Sequence, residues 1–128
     1  MSALLVLTDA YKFYFCCSKV DMRKSFDGLC GVVERYMSRR VEKNKKEVYI
    51  FLNKDRTHLK LLLHENNGFT LLYRGQETRF TLPDFTAEDG SIKLTATEVL
   101  SLLGGLMLHR TQKKKRGLST GYAVNAVF

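Results

Sequence analysis

The spacing of apolar residues along this chain moves between alternation and three- and four-residue steps, and each change marks a predicted element. Residues 11–17, Tyr-Lys-Phe-Tyr-Phe-Cys-Cys, are rich in aromatic residues and read as a strand. From residue 21 to about residue 40, Phe26, Leu29, Cys30, Val33, Tyr36 and Met37 recur at the period of an amphipathic helix. Asp21 is its expected N-cap, with a carboxylate that accepts from backbone N–H groups of the next turn. Gly28 and Gly31 each cost such a helix about 1 kcal/mol, and they are read as points of close packing. Residues 41–47, Val-Glu-Lys-Asn-Lys-Lys-Glu, form a charged connector.

Beyond it the period falls to two. Residues 48–52, 58–64 and 69–74 read as strands, and residues 79–82 as a short fourth that ends at Pro83. Asn67-Gly68 is a strong turn signal because both residue types tolerate positive φ. Such short connections join antiparallel neighbours, which makes a β-meander. Alternation puts Leu59, Leu61 and Leu63 on one face; with Phe69, Leu71 and Tyr73 they are expected to meet the helices. His58, Lys60, Leu62 and His64 then share a mixed opposite face with Thr70, Leu72 and Arg74, partly exposed or covered by another element.

Residues 84–94 read as a polar loop. Thr95-Ala96-Thr97-Glu98 matches a capping box, with Leu94 and Val99 at the two staple positions. The helix it opens runs through Leu100, Leu102, Leu103 and Leu106, with Gly104-Gly105 as its end or a close-packing point. The expected fold class is α+β: an antiparallel β-meander of about four to five strands packed against two α-helices. The expected division is a single domain over residues 1–110 and a basic tail over residues 111–128.

Composition narrows the class of partner. A chain of 128 residues is long enough for a real core, and its formal charge of +8 favours nucleic acid or another anionic partner. No apolar run reaches the ~20 residues of a membrane span, and the apolar start lacks a cationic leader. The expected location is cytoplasmic. Cys16, Cys17 and Cys30 are odd in number and two are adjacent, which points to no disulfide framework. No zinc-knuckle spacing occurs, and His58 and His64 on one strand lie ~20 Å apart. No metal site and no cofactor are expected.

Catalysis finds little support. Two-metal phosphoryl chemistry needs clustered carboxylates, and the acidic residues here are scattered beside Lys and Arg. Ser25 and the cysteines have no general base in a recognisable arrangement, and no phosphate-cradling glycine loop is present. The expectation is no catalytic residue. Contact with nucleic acid has more behind it. Arg23 and Lys24 sit at the predicted start of the first helix, where backbone N–H groups also favour phosphate. Arg56, Lys60, Arg74 and Arg79 lie along the meander, and Lys113, Lys114, Lys115 and Arg116 form a cationic run. Arg39, Arg40, Lys43, Lys45 and Lys46 make a further cluster. Taken singly, each such residue is ordinary solvated covering; the excess together is what points to phosphate. Tyr49, Phe51, Tyr73 and Phe80 interleave with these cations, and exposed rings of that kind stack unpaired bases, although most such aromatics belong to cores.

The most distinctive segment is Asp21-Met22-Arg23-Lys24-Ser25-Phe26-Asp27-Gly28-Leu29. It is followed in order by Lys54-Asp55-Arg56, His58-Leu59-Lys60-Leu61-Leu62, Asn67-Gly68-Phe69, Leu72-Tyr73-Arg74, Arg79-Phe80 and Leu82-Pro83. Over residues 21–105 this series resembles the small TnpB-type accessory proteins, products of the second open reading frame, of the insertion-sequence 66 family of bacterial mobile elements. The sequence departs from that pattern in the connector Lys43-Asn44-Lys45-Lys46 and at Leu82, where a tryptophan is common. The resemblance implies an accessory role in transposition with the transposase of the same element as partner, and with the cationic surface the expectation is a non-catalytic protein that binds DNA or the transposase–DNA complex. The alternative is a protein–protein interaction factor with no direct DNA contact, for which Leu62, Leu72 and the apolar residues of the tail are the candidate surface.

Overall fold

The computed structural model describes residues 8–82 and 90–104. In chain order the elements are β1 (Lys12–Cys16), α1 (Phe26–Tyr36), β2 (Glu47–Leu52), β3 (His58–Glu65), β4 (Gly68–Gly75), β5 (Ser91–Leu94) and α2 (Ala96–Gly104). The expected α+β class holds, with five strands in one sheet of order β4-β3-β2-β1-β5. β2, β3 and β4 form the expected antiparallel meander. The sheet as a whole is mixed, because β1 runs parallel to β2. A parallel pair needs a crossover longer than a turn, and α1 supplies it.

Residues 79–82 form no strand. Phe80 is buried, and its N–H donates to the Arg56 carbonyl at 2.7 Å, so the segment docks on the β2–β3 turn without joining the sheet. The fifth strand lies instead at Ser91–Leu94, within the stretch expected to be loop, and pairs antiparallel with β1. Gly90 makes that path possible. Its φ is +87°, and a Cβ there would lie 1.9 Å from the Tyr36 carbonyl oxygen.

The two helices cover opposite faces of the sheet. Phe13, Phe15, Val48, Ile50, Leu59, Leu61 and Leu63 pack with Val99, Leu102 and Leu103 of α2. The alternate positions Tyr14, Cys16, Tyr49, Phe51 and Leu62 pack with Leu29, Val32 and Val33 of α1 and with Met37. β1 and β2 are therefore buried on both sides and read as nearly continuous apolar runs. The expected sharing of faces between β3 and β4 is overturned by register. Leu61 sits opposite Leu72, and Leu62 opposite Leu71. Leu59, Leu61 and Leu63 thus share their face with Arg74, Leu72 and Thr70, while Phe69, Leu71 and Tyr73 lie on the α1 side.

α1 is shorter than its sequence period. It starts after Ser25, whose side chain makes no capping bond. It stops where Ser38 turns left-handed at φ 55° and Arg39 N–H returns to the Val33 carbonyl. Val32, not Tyr36, completes the buried ridge, and Tyr36 is exposed. Neither glycine of α1 marks packing against another element. A Cβ on Gly31 would meet nothing, and one on Gly28 would meet only the Lys24 side chain. α2 starts as expected, with Glu98 N–H donating to Thr95 Oγ1 at 3.1 Å and Thr95 N–H to Glu98 Oε1 at 2.8 Å. Asp9 adds a bond from Ala96 N–H at 2.9 Å. Among the described residues no helix is long and apolar enough to cross a membrane. Leu106 and the proposed domain boundary near residue 110 lie outside the described residues.

Candidate nucleic-acid interface

Asp21 does not cap α1. It closes a separate turn ahead of the helix: its Oδ1 accepts from Arg23 N–H at 2.9 Å, and its carbonyl from Lys24 N–H at 3.1 Å. The Arg23 guanidinium folds back on the same carboxylate at 2.7 Å. Bonds from the Arg23 side chain, then from its backbone N–H, hold the Asp21 carboxyl well below the usual carboxylate range. Arg23 and Lys24 are thus displayed on a tight turn that precedes the helix, and both are exposed.

Lys60 joins them. Its Nζ donates to the Lys24 carbonyl at 2.7 Å and stands 5.4 Å from the centroid of the Tyr73 ring. Arg56 and Arg79 belong to the same end of the sheet. Arg56 occupies a left-handed position in the β2–β3 turn (φ 61°), and its carbonyl receives the Phe80 N–H. Gln76 N–H reaches the Thr57 carbonyl at 2.9 Å, drawing the end of β4 against that turn. Arg74 is separate. It lies opposite Leu59 on the α2 side, half-buried. Lys113, Lys114, Lys115 and Arg116 lie outside the described residues. Of the expected set, the geometry unites Arg23, Lys24 and Lys60, leaves Arg56 in the β2–β3 turn with the segment of Arg79 docked on it, and puts Arg74 on the other face.

Sequence reasoning missed three neighbours of this group, Lys19, Lys54 and His58, which with Tyr73, one of the aromatics expected to interleave with the cations, line a cleft of about 440 Å³ beside Asp21. Tyr73 is 57 % exposed and stacks on His58 with ring centroids 5.8 Å apart. Of the four aromatics named from the sequence, Tyr73 is the one left exposed, two residues from the end of an edge strand. Tyr49, Phe51 and Phe80 by contrast are core residues.

Two members of the Arg39 cluster have partners within the fold. The Arg39 guanidinium lies 3.7 Å from the centroid of the Tyr14 ring and 3.7 Å from Glu47, which also receives the Tyr49 hydroxyl at 2.9 Å. Burial, then the neighbouring Glu47, push the Tyr49 hydroxyl well above its ordinary range. Arg39 is therefore occupied within the fold, and Lys45 is paired with Glu42 at 3.7 Å. Burial also raises the Cys16 and Cys30 thiols, which leaves them poor nucleophiles at neutral pH.

Residues 11–113 match the protein family described as IS66 Orf2 like protein. The match includes all of the segments that carry the resemblance in the sequence. No curated protein and no solved structure matches the chain.

Proposed function

Because the chain belongs to the IS66 Orf2 like family, we propose that it acts as a non-catalytic accessory protein of insertion-sequence 66 transposition that contacts DNA. The observation that carries this reading is the convergence of Arg23, Lys24 and Lys60 beside the cleft rimmed by Lys19 and Lys54. Cations gathered on one side of a small domain attract the phosphate backbone without reading sequence. Asp21, the carboxylate among the residues lining that cleft, is already engaged in closing the turn with Arg23.

Fluorescence anisotropy with labelled DNA from the ends of the element, over a series of salt concentrations, tests the reading. Binding should weaken linearly in the logarithm of salt, and Lys24→Gln should flatten the slope by about one contact. No binding at low salt, or binding indifferent to salt, would sink it.

A second reading, a protein–protein factor, has one observation in its favour. β4 is one of the two outer strands of the sheet, eight residues long, and carries Phe69 at 47 % exposure. Among the described residues no further strand pairs with it, and an edge of that length is a template for strand addition. Co-elution of the nuclease-treated protein with the transposase of the same element, lost on placing Pro in β4, would favour it.

A further inference from the structure

We propose that Tyr73, backed by His58, is a stacking platform for an unpaired base of single-stranded DNA, with adjacent phosphates met by Lys19, Lys54 and Lys60. The inference deepens the DNA-contact reading and rests on it.

The platform is built before any ligand arrives. Asn53 Oδ1 accepts from the backbone N–H groups of Thr57 and His58 at 2.9 and 3.0 Å, fixing the start of β3. His58 Nδ1 is then held 2.9 Å from Thr57 Oγ1 and 3.5 Å from Asn53 Nδ2. Gly75, directly opposite His58 in the ladder, makes room for the ring. A Cβ on Gly75 would lie 2.7 Å from His58 Cδ2. Across the ladder His58 and Tyr73 stack at an interplanar angle of 22°, and Lys60, opposite Tyr73, keeps a cation near the ring.

Burial cannot account for this arrangement, because Tyr73 is 57 % exposed. The cleft beside it is apolar at its floor, with Val20 and Met22, and cationic at its rim, with Lys19 and Lys54. Asp21, the carboxylate among its lining residues, is already engaged by Arg23. A ring next to cations and an apolar floor fits a base face with its flanking phosphates. Duplex DNA hides its base faces within the stack and offers only edges and backbone. The platform therefore selects unpaired strands, while Arg23 and Lys24 serve either form.

The test compares anisotropy of a labelled oligo-dT of about 12 nucleotides with that of a hairpin duplex, at one salt concentration, for the full chain. Tyr73→Ala should weaken oligo-dT binding about tenfold, Tyr73→Phe about twofold or less, and neither should move duplex binding by more than about twofold. If Tyr73→Ala leaves oligo-dT binding unchanged, or weakens both probes equally, the platform is wrong while the DNA-contact reading stands. If the wild-type protein binds neither probe at low salt, both readings fall. Thermal unfolding of each variant checks that the sheet edge is intact.

Discussion

Lys60 Nζ donates to the Lys24 carbonyl at 2.7 Å, a bond that ties β3 to the turn before α1 across 36 positions of sequence. The two lysines therefore do different things. Lys24 presents a charge whose side chain is exposed, whereas Lys60 spends part of its hydrogen-bonding capacity holding the turn that displays Lys24. Lys24→Gln should flatten the salt dependence of DNA binding by about one contact and leave stability unchanged. Lys60→Met should flatten it less and cost about 1 kcal/mol in urea unfolding. Equal effects of the two substitutions on both measurements would show that the bond has no structural role.

Asp21 restrains Arg23. Its carboxyl is held below the ordinary value by bonds from the Arg23 side chain and backbone. A depressed folded pKa means that the unfolded chain takes up the proton more readily. The stabilisation is thus present above the ordinary carboxylate value of about 3.9 and is lost as pH falls from there toward the lower folded value. Asp21→Asn should lack this component, so its stability deficit against wild type should shrink on acidification through that window. At neutral pH the same change removes a negative charge and frees a guanidinium. DNA affinity should rise, with a salt slope steeper by about one contact. A fall in affinity would mean that the turn itself, not the freed cation, limits binding.

The glycines separate by what a methyl group would meet. Gly90 has φ +87° and a Cβ position 1.9 Å from the Tyr36 carbonyl oxygen, whereas Gly31 faces open space within α1. Gly90→Ala must move backbone and should cost about 2–4 kcal/mol. Gly31→Ala removes a helix-interior glycine and should gain about 0.5–1 kcal/mol. Urea midpoints of the two variants check both signs, and a neutral Gly90→Ala would place the β5 approach elsewhere.

These contrasts show which parts of the fold were legible. The α2 capping box was, because Thr95 and Glu98 bond to each other's N–H groups within one turn and depend on nothing remote. The β3–β4 hairpin was legible as a hairpin, but its faces were assigned by apolarity alone. Pairing Glu65 with Gly68 across a two-residue loop always matches an odd position with an even one. Leu61 therefore meets Leu72 and not Leu71, and Tyr73 comes to the cationic side. β5 was invisible because Ser91–Leu94 becomes a strand only by pairing with β1, far away in sequence. The start of α1 was misplaced because Asp21 carries a genuine capping geometry, spent on a turn of its own. Arg23 and Lys24 were found from charge, but Lys19, Lys54 and His58 reach the same cleft through tertiary structure alone.

Tyr49 offers the opposite pH signature to Asp21, in a part of the fold remote from the proposed interface. Its hydroxyl donates to Glu47 Oε1 at 2.9 Å, while the Arg39 guanidinium lies over the stacked Tyr14 ring and against the same carboxylate. Burial, then Glu47, raises the folded pKa of the hydroxyl above its ordinary value of about 10. For a raised group the stabilisation is complete below the unfolded value and is lost as pH climbs toward the folded one. Tyr49→Phe removes the hydroxyl and leaves Glu47 with Arg39, so the cost at neutral pH should be about 1–2 kcal/mol. Above about pH 10 the wild-type advantage should narrow, because only the wild type must keep that proton against alkali. Other tyrosines and lysines titrate in the same range, so the quantity to follow is the difference between the two proteins in urea unfolding. Glu47→Gln should weaken this pH dependence while keeping the ring in place. A difference that stays constant across the alkaline range would show that the hydroxyl packs beside Glu47 without depending on its charge.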